Sequence, residues 1–364
     1  MKKTFCFLVL LWFSIPIPAQ NADTVRLLFL GDIMGHDSQI ESAYDKKTKR
    51  YQYDSVFKDV KPLLSEPDFT IGNLELTLAG SPYTGYPVFS SPDALAVACK
   101  KSGMDVLVTS NNHSCDKGQK GILRTLEVLD SLGIRHTGTF RSAAERRTKN
   151  LLILHKKNIR LGILNYTYGT NGIRIPKRVA VNTIDTSLMA ADIARAKRTN
   201  IDKLIVFIHW GNEYQSIPSN PQKKLAKFLF QKGVDIIIGA HPHVIQPMEY
   251  YPQDSIQQER FIAYSLGNFV SGQRGLMKEG GATVTLELVK EAGKTHISDC
   301  YYHLLWVNKP SAGNQKHYQI LPAAQYDTDR QGKLTENAQK RMKNFLKKVR
   351  SLLKKENHQV VEKR

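Results

Sequence analysis

Cysteine is scarce in this chain, four in 364 residues, at Cys6, Cys99, Cys115 and Cys300. So few thiols exclude a disulfide-stapled scaffold. If Cys6 leaves with a leader, an odd number remains and at most one internal disulfide can form. The spacing does not choose the pair. Acidic residues are also few, 33 Asp and Glu against 52 Lys and Arg. Beyond the first twenty residues no apolar run is long enough to cross a bilayer. Internal repeats, low-complexity tracts and flexible linkers are missing too, which excludes solenoids and disordered arrays. With 41% hydrophobic and 23% charged residues, what remains is the composition of a globular protein able to bury a sizeable core.

The first twenty residues stand apart. Lys2 and Lys3 precede an apolar stretch from Phe5 to Ile17, and Pro16, Pro18 and Ala19 close it. This pattern predicts a signal peptide over residues 1–20 and an exported protein, periplasmic or at the cell surface. An uncleaved membrane anchor is the alternative, but the stretch is short and its prolines break its far end. The net charge of +19 falls to +17 without Lys2 and Lys3, and residues 330–364 hold twelve Lys or Arg against three Glu. A basic balance favours acidic partners such as polyanionic polymers, anionic lipid headgroups or nucleic acid. Export sets nucleic acid aside, and a merely solvated charged helix is the plain alternative.

Five short apolar runs end abruptly in residues that bind metals or move protons. They are Leu27–Leu30 into Gly31-Asp32, Phe69–Ile71 into Gly72-Asn73-Leu74-Glu75, Val106–Thr109 into Asn111-Asn112-His113, Leu204–Ile208 into His209, and Ile236–Gly239 into His241-Pro242-His243. Such runs read as buried strands, and ligands of open α/β sheets bind beyond the carboxyl ends of strands. The pattern predicts one polar crater above one sheet. Helices are expected at Asp93–Lys101, Gly118–Leu132, Ser187–Arg198 and Pro221–Lys232, and a hairpin at Leu151–His155 with Arg160–Leu164. Consecutive strands follow at Phe261–Tyr264, Thr283–Val289 and Tyr301–Val307. From Asn337 to about Lys355 a basic amphipathic helix carries Met342, Phe345, Val349 and Leu352 on one stripe. The alternation indicates an α/β chain with a largely parallel sheet, to which the later strands add a second.

Each crater residue has a chemical and a structural reading. His241 and His243, two apart on an extended segment, point the same way, and Gly239 lets the backbone turn before them. Asp32 is a hard ligand suited to Mn, Fe, Mg or Zn. His36 reaches back over a turn, or simply starts a helix at the surface. Glu75 bridges two ions, or forms a salt bridge or cap. Asn112 offers a neutral carbonyl ligand. His113 beside it serves as a general acid oriented by Asp116, which also stands where it would cap the next helix. Cys115 is a thiol ligand, a nucleophile, or filler beside a polar site. Tyr166, Tyr168, Glu213 and Tyr214 are candidates for the rim and for substrate binding.

Taken in order, these motifs, with Tyr166-Thr167-Tyr168-Gly169, His209-Trp210-Gly211, Glu213-Tyr214 and Tyr264-Ser265-Leu266-Gly267-Asn268-Phe269, resemble the CapA (PgsA) family of capsule and poly-γ-glutamate synthesis. That family in turn resembles the calcineurin-like metallophosphoesterases. The likeness runs from about residue 25 to 270. It implies a metallophosphoesterase-like αββα sandwich of two mixed sheets flanked by helices, over residues 25–307, with 308–364 as a basic extension. It also implies two divalent ions, Asp32 and His243 holding one, Asn112, His209 and His241 the other, with Glu75 bridging and His113 protonating the leaving oxygen. Two positions depart from the phosphoesterase pattern. Met34 stands where that pattern has a histidine, and Asn73 near its bridging aspartate, so His36 and Glu75 would be the replacements. The implied partners are a phosphoester or anionic envelope polymer and other capsule-synthesis proteins at the membrane. Two functions compete: a metal-dependent hydrolase, and a non-catalytic partner in making or exporting the polymer.

Overall fold

The computed structural model describes residues 22–255, 257–309, 318–327 and 334–364. The expected signal peptide lies outside the described residues. The first strand, Asp23–Ile33, is buried at every position from Leu27 onward. It has neighbours on both edges and layers on both faces, so its sequence is continuously apolar rather than alternating. Phe69–Leu74 runs parallel to it on one edge and Gly280–Glu291 antiparallel on the other. Seven of the sheet's nine strands run in the order Gln319–Pro322, Lys294–Asn308, Gly280–Glu291, Asp23–Ile33, Phe69–Leu74, Val106–Val108, Arg135–Thr137, while Asn268–Val270 pairs with Asp23–Ile33 and Val361–Glu362 with Lys294–Asn308. A second mixed sheet has the order Met248–Tyr251, Arg260–Ala263, Ile236–Ala240, Lys203–His209, Ile159–Thr167, Leu152–Lys156. Its last two strands are the expected hairpin, antiparallel and joined at Lys156 and Ile159.

Side-chain alternation sorts the layers. Phe29, Ile71 and Val284 of the first sheet meet Ile163, Phe207 and Ile238 of the second in one apolar interior. Leu28, Leu30 and Leu107 face outward onto Phe57 and Leu95 of the helical layer. On the far side Leu164, Val206 and Ile237 face Met189 and Leu229. This is the expected αββα sandwich. The helices form where their start and stop chemistry lies: Asp93–Lys101, Gly118–Ser131, Thr186–Lys197 and Asn220–Lys232. The last is capped by Ser219 in a reciprocal box with Gln222 and ended by Gly233 at φ 93°, a left-handed conformation that glycine adopts without strain.

Two expectations change. The polar strand ends do not stand above one sheet: three come from the first sheet and two, those of His209 and of His241 and His243, from the second. The segment after residue 307, which composition sets apart as an extension, is built into the first sheet. Gln319–Pro322 pairs with Leu305–Asn308, and Val361–Glu362 with Tyr301–Tyr302. Between them the helix Glu336–Glu356 buries Met342, Phe345, Leu346, Val349 and Leu353 in the same interior as Tyr302, Leu304 and Trp306. Leu353 replaces the expected Leu352 because eleven residues complete three turns from Met342, whereas ten fall short by most of a residue's arc.

Replacing Phe345, fully buried, by Ala is expected to cost about 3–5 kcal/mol, read as a lower denaturant midpoint. Lys347→Ala on the exposed face should shift stability by less than about 0.5 kcal/mol. Equal effects would mean that the helix does not contribute to the core.

Candidate functional site

The crater forms where the two sheets end together. Asp32 lies level with Asn73 on one side and Asn268 on the other, so three polar residues stand in a row across three strands. Gly31 precedes Asp32 because any Cβ there would lie 1.9 Å from the Gly267 carbonyl oxygen. Gly239 serves a similar purpose and makes no turn: a Cβ would lie 2.0 Å from the Tyr264 carbonyl oxygen. The turn comes later. The strand ends at Ala240, and His241 and His243 take left-handed φ values of 98° and 57° around Pro242. Their rings, with centroids 5.9 Å apart, are therefore gathered by a strained turn and not by strand alternation. Backbone strain of this kind is characteristic of sites whose surroundings over-determine them.

Asp32, fully buried, accepts from Asn73 Nδ2 at 2.8 Å on one oxygen. On the other it accepts from the His241 backbone N–H at 3.3 Å and meets His243 Nδ1 at 3.2 Å. His243 Nδ1 also lies 3.1 Å from Asn268 Oδ1, whose amide nitrogen is held by the His243 and Lys278 carbonyls. With two acceptors facing it, Nδ1 carries the proton, and Nε2 is left 3.8 Å from Glu75 Oε1. Glu75 is completely buried and neither of its oxygens has a hydrogen-bond partner. Burial first, and then the neighbouring Asp32 charge, hold its carboxyl well above the ordinary range. His241 Nδ1 is likewise buried and unpartnered, and burial lowers that ring to about 4. Glu75 with His241 and His243, and Glu75 with Asp32 and His209, each offer three ligand atoms within 4.8 Å of one another. Glu75 belongs to both groups, Asp32 also lies 3.2 Å from His243 Nδ1, and the His209 and His241 ring centroids are 4.8 Å apart.

His113 stands beside this centre. Its Nδ1 lies 2.8 Å from Asp116 Oδ2, which also accepts from the Phe89 backbone N–H at 2.7 Å. Phe89 packs edge-on against the imidazole, with centroids 4.6 Å apart. Asp116 makes no cap contact: the helix begins after Lys117 without a side-chain cap. Asn112 Oδ1 lies 2.8 Å from His209 Nε2, and its amide nitrogen donates to Asn171 Oδ1 at 3.2 Å.

Other expected residues fall elsewhere. His36 belongs to neither ligand group; its Nδ1 accepts from the Gly272 backbone N–H at 3.2 Å while its ring abuts Phe89. It starts a helix, the plainer of its two readings. Tyr166 is not on the rim. It is 0% exposed in the outer core of the second sheet and donates to Asp192 at 3.0 Å, because alternation along its strand turns it toward the helices. Tyr168, 47% exposed, and Tyr214, 48% exposed, do line the mouth. Tyr168 lies over His241 at 4.6 Å, and Tyr214 carries Lys278 Nζ 4.2 Å above its ring. Glu213 is exposed next to it. Cys99, Cys115 and Cys300 are free and buried. Cys115 packs with Ile122, Leu126 and Val179, and burial raises its thiol to about 11, so it is filler. The sequence reading assigned no role to Asn268 or Lys278. Asn268 follows Gly267 after a short apolar run, as Asp32 follows Gly31, and that signal would have found it.

The family model of the bacterial capsule synthesis protein PGA_cap matches residues 26–273. The chain belongs to this family. The match takes in the PGA_cap crater from Asp32 to Asn268 and leaves the C-terminal helix outside. The capsule biosynthesis protein CapA of Bacillus anthracis is 29% identical over 286 residues, 75% of this chain and 66% of that protein. The PGA biosynthesis protein CapA of Bacillus subtilis (strain 168) is 29% identical over 300 residues, 79% and 74% of the two chains. The chain thus spans about two thirds to three quarters of the length of these relatives. Among solved structures, the calcineurin-like phosphoesterase YfkN of B. subtilis aligns with 91% of this chain and 97% of its own, at 13% identity and a TM-score of 0.46.

A buried carboxyl held above its ordinary value of 4.5 makes the folded state bind a proton that the unfolded chain has released. Its contribution to stability is therefore full below that value and is lost as pH rises through the folded-state value. In chelator, Glu75→Gln should raise the melting temperature at pH 8 by several degrees and leave it nearly unchanged at pH 5. An unchanged or lower value at pH 8 would show that the carboxylate is already satisfied.

Proposed function

We propose that the crater is a divalent-cation centre of an exported hydrolase acting on a phosphoester or on an amide or ester bond of an anionic envelope polymer. One observation carries the reading. Glu75 is buried without a single donor, in contact range of the His209 and His243 rings; burial pushes His209 well below its ordinary value and His241 to about 4. An uncompensated buried carboxylate is costly, and neutral imidazoles around one form a donor set for Zn, Mn or Fe. Glu75, His241 and His243 would hold the ion, with Asp32, His209 and Asn112 around them. When bound, it would polarise the scissile group and favour a water nucleophile at neutral pH.

The chain's own residues supply the rest. Asp116 accepts from His113 Nδ1–H and so favours the doubly protonated ring, whose Nε2–H passes to the leaving oxygen and leaves the neutral imidazole behind. Phe89 restrains the imidazole edgewise. Tyr168 and Tyr214 offer flat faces at the mouth, and Lys278 offers a cation to an acidic substrate. Export, to the periplasm or cell surface, rests on residues 1–20; no helix among the described residues is long and apolar enough to cross a membrane. Membership of a capsule-synthesis family supports an envelope polymer as the substrate and other capsule-synthesis proteins at the membrane as partners. The second reading, a polymer-binding partner without catalysis, is favoured by Asn73 and Met34, which remove two residues of the phosphoesterase pattern.

The mature protein, assayed with a chromogenic phosphodiester and Mn, is expected to turn over, and His113→Ala should lower the rate about 10²–10⁴-fold with metal content unchanged. No bound metal and no turnover would leave only the binding reading. Loss of metal in the variant would show that His113 is a ligand.

A further inference from the structure

Lone pairs in the crater divide into two sets. Glu75 Oε1 and Oε2 and His241 Nδ1 have no partner, and His243 presents Nε2 toward Glu75. In the other set each side chain already has hydrogen-bond partners. Asn73 Nδ2 lies 2.8 Å from Asp32 Oδ1 and 3.2 Å from His209 Nδ1, so one amide nitrogen spans the two residues that a second ion would need.

Neighbours set the orientation of that amide. Asn111 Nδ2 donates to the Leu74 carbonyl at 2.7 Å, and Asn111 Oδ1 accepts from the His113 backbone N–H at 3.0 Å. Backbone groups thus hold Asn111 at both ends, and its nitrogen faces Asn73 Oδ1 at 3.4 Å. Asn73 must then turn its own nitrogen toward Asp32 and His209. The same logic fixes His209. Its Nδ1 accepts from Asn73, its Nε2–H donates to Asn112 Oδ1 at 2.8 Å, and Asn112 is itself oriented by Asn171. A ring with both nitrogens bonded has no lone pair for a cation.

We infer that the centre takes one divalent ion, on Glu75, His241 and His243, and that Asn73 occupies with its N–H groups the role a second ion would have between Asp32 and His209. The inference rests on the cation-centre reading proposed above. Two imidazoles and one carboxylate make a sufficient donor set and leave coordination positions open. Asp32 is then a positioning residue: it orients His243 through Nδ1. Met34, 1% exposed in the outer core, supplies no ligand to replace it.

The test is ion stoichiometry on the full mature chain, stripped with chelator and re-equilibrated with Zn or Mn, by elemental analysis and titration calorimetry. One ion per chain is expected for the wild type. Asn73→Asp removes the N–H groups and adds a carboxylate, and should take the count toward two. His209→Gln should keep one ion, whereas His241→Gln should lose it; this pair decides the matter if Asn73→Asp does not fold by circular dichroism. Two ions in the wild type, or one in a folded Asn73→Asp protein, or loss of the ion in His209→Gln, would overturn the inference. No ion in the wild type would instead overturn the cation-centre reading itself.

Discussion

The crater is organised around a carboxylate that the fold buries without hydrogen bonds. Desolvating such a group costs several kcal/mol unless a charge compensates it, and few native structures leave one orphaned. Around Glu75 the other residues follow from that constraint. Burial, and then the neighbouring rings, keep the His209 and His241 imidazoles neutral. The amides of Asn73, Asn111, Asn112 and Asn268 supply dipoles without adding charge. Asp32, another buried carboxylate, is treated in the opposite way, with donors on both oxygens. One acid is satisfied and one is left open, a few ångströms apart, and that asymmetry gives the site its direction.

The scaffold imposes this asymmetry mechanically. Gly31 and Gly239 let strands approach neighbouring carbonyls too closely for any Cβ. The left-handed turn at His241-Pro242-His243 aims two rings inward. Apolar packing between the sheets carries the load behind them, and the C-terminal helix covers the part of the first sheet beside Tyr302, Leu304 and Trp306.

Much of this was legible before any coordinates. Strand ends announced themselves because an interior strand covered on both faces must be apolar until the point where it meets the site. Asp32, Glu75, Asn112, His113, His209, His241 and His243 all lie at such ends, and the structure brings them together. The errors have physical causes. Tyr166 precedes the strand end by one residue, and alternation sends it into the core. His36 lies on a helix start, where a backbone N–H claims its ring nitrogen. The basic tail was half legible: its apolar stripe of Met342, Phe345 and Val349 is buried as its spacing predicts, whereas the surface that this stripe covers is set by strands distant in sequence. The role of Asn73 was hidden for another reason: an asparagine's meaning depends on which way its amide turns, and residues far away in sequence decide that.

The left-handed conformations around Pro242 and the row of Asp32, Asn73 and Asn268 belong to different layers, held together behind the crater by a shared apolar interior and by a few buried polar contacts such as Ser110 N–H to Asn165 Oδ1. Neither layer carries a complete set of donors. The chemistry is thus a property of a seam, and it is indivisible: a fragment, a gene fission or a domain exchange that separated the sheets would leave each half folded around nothing.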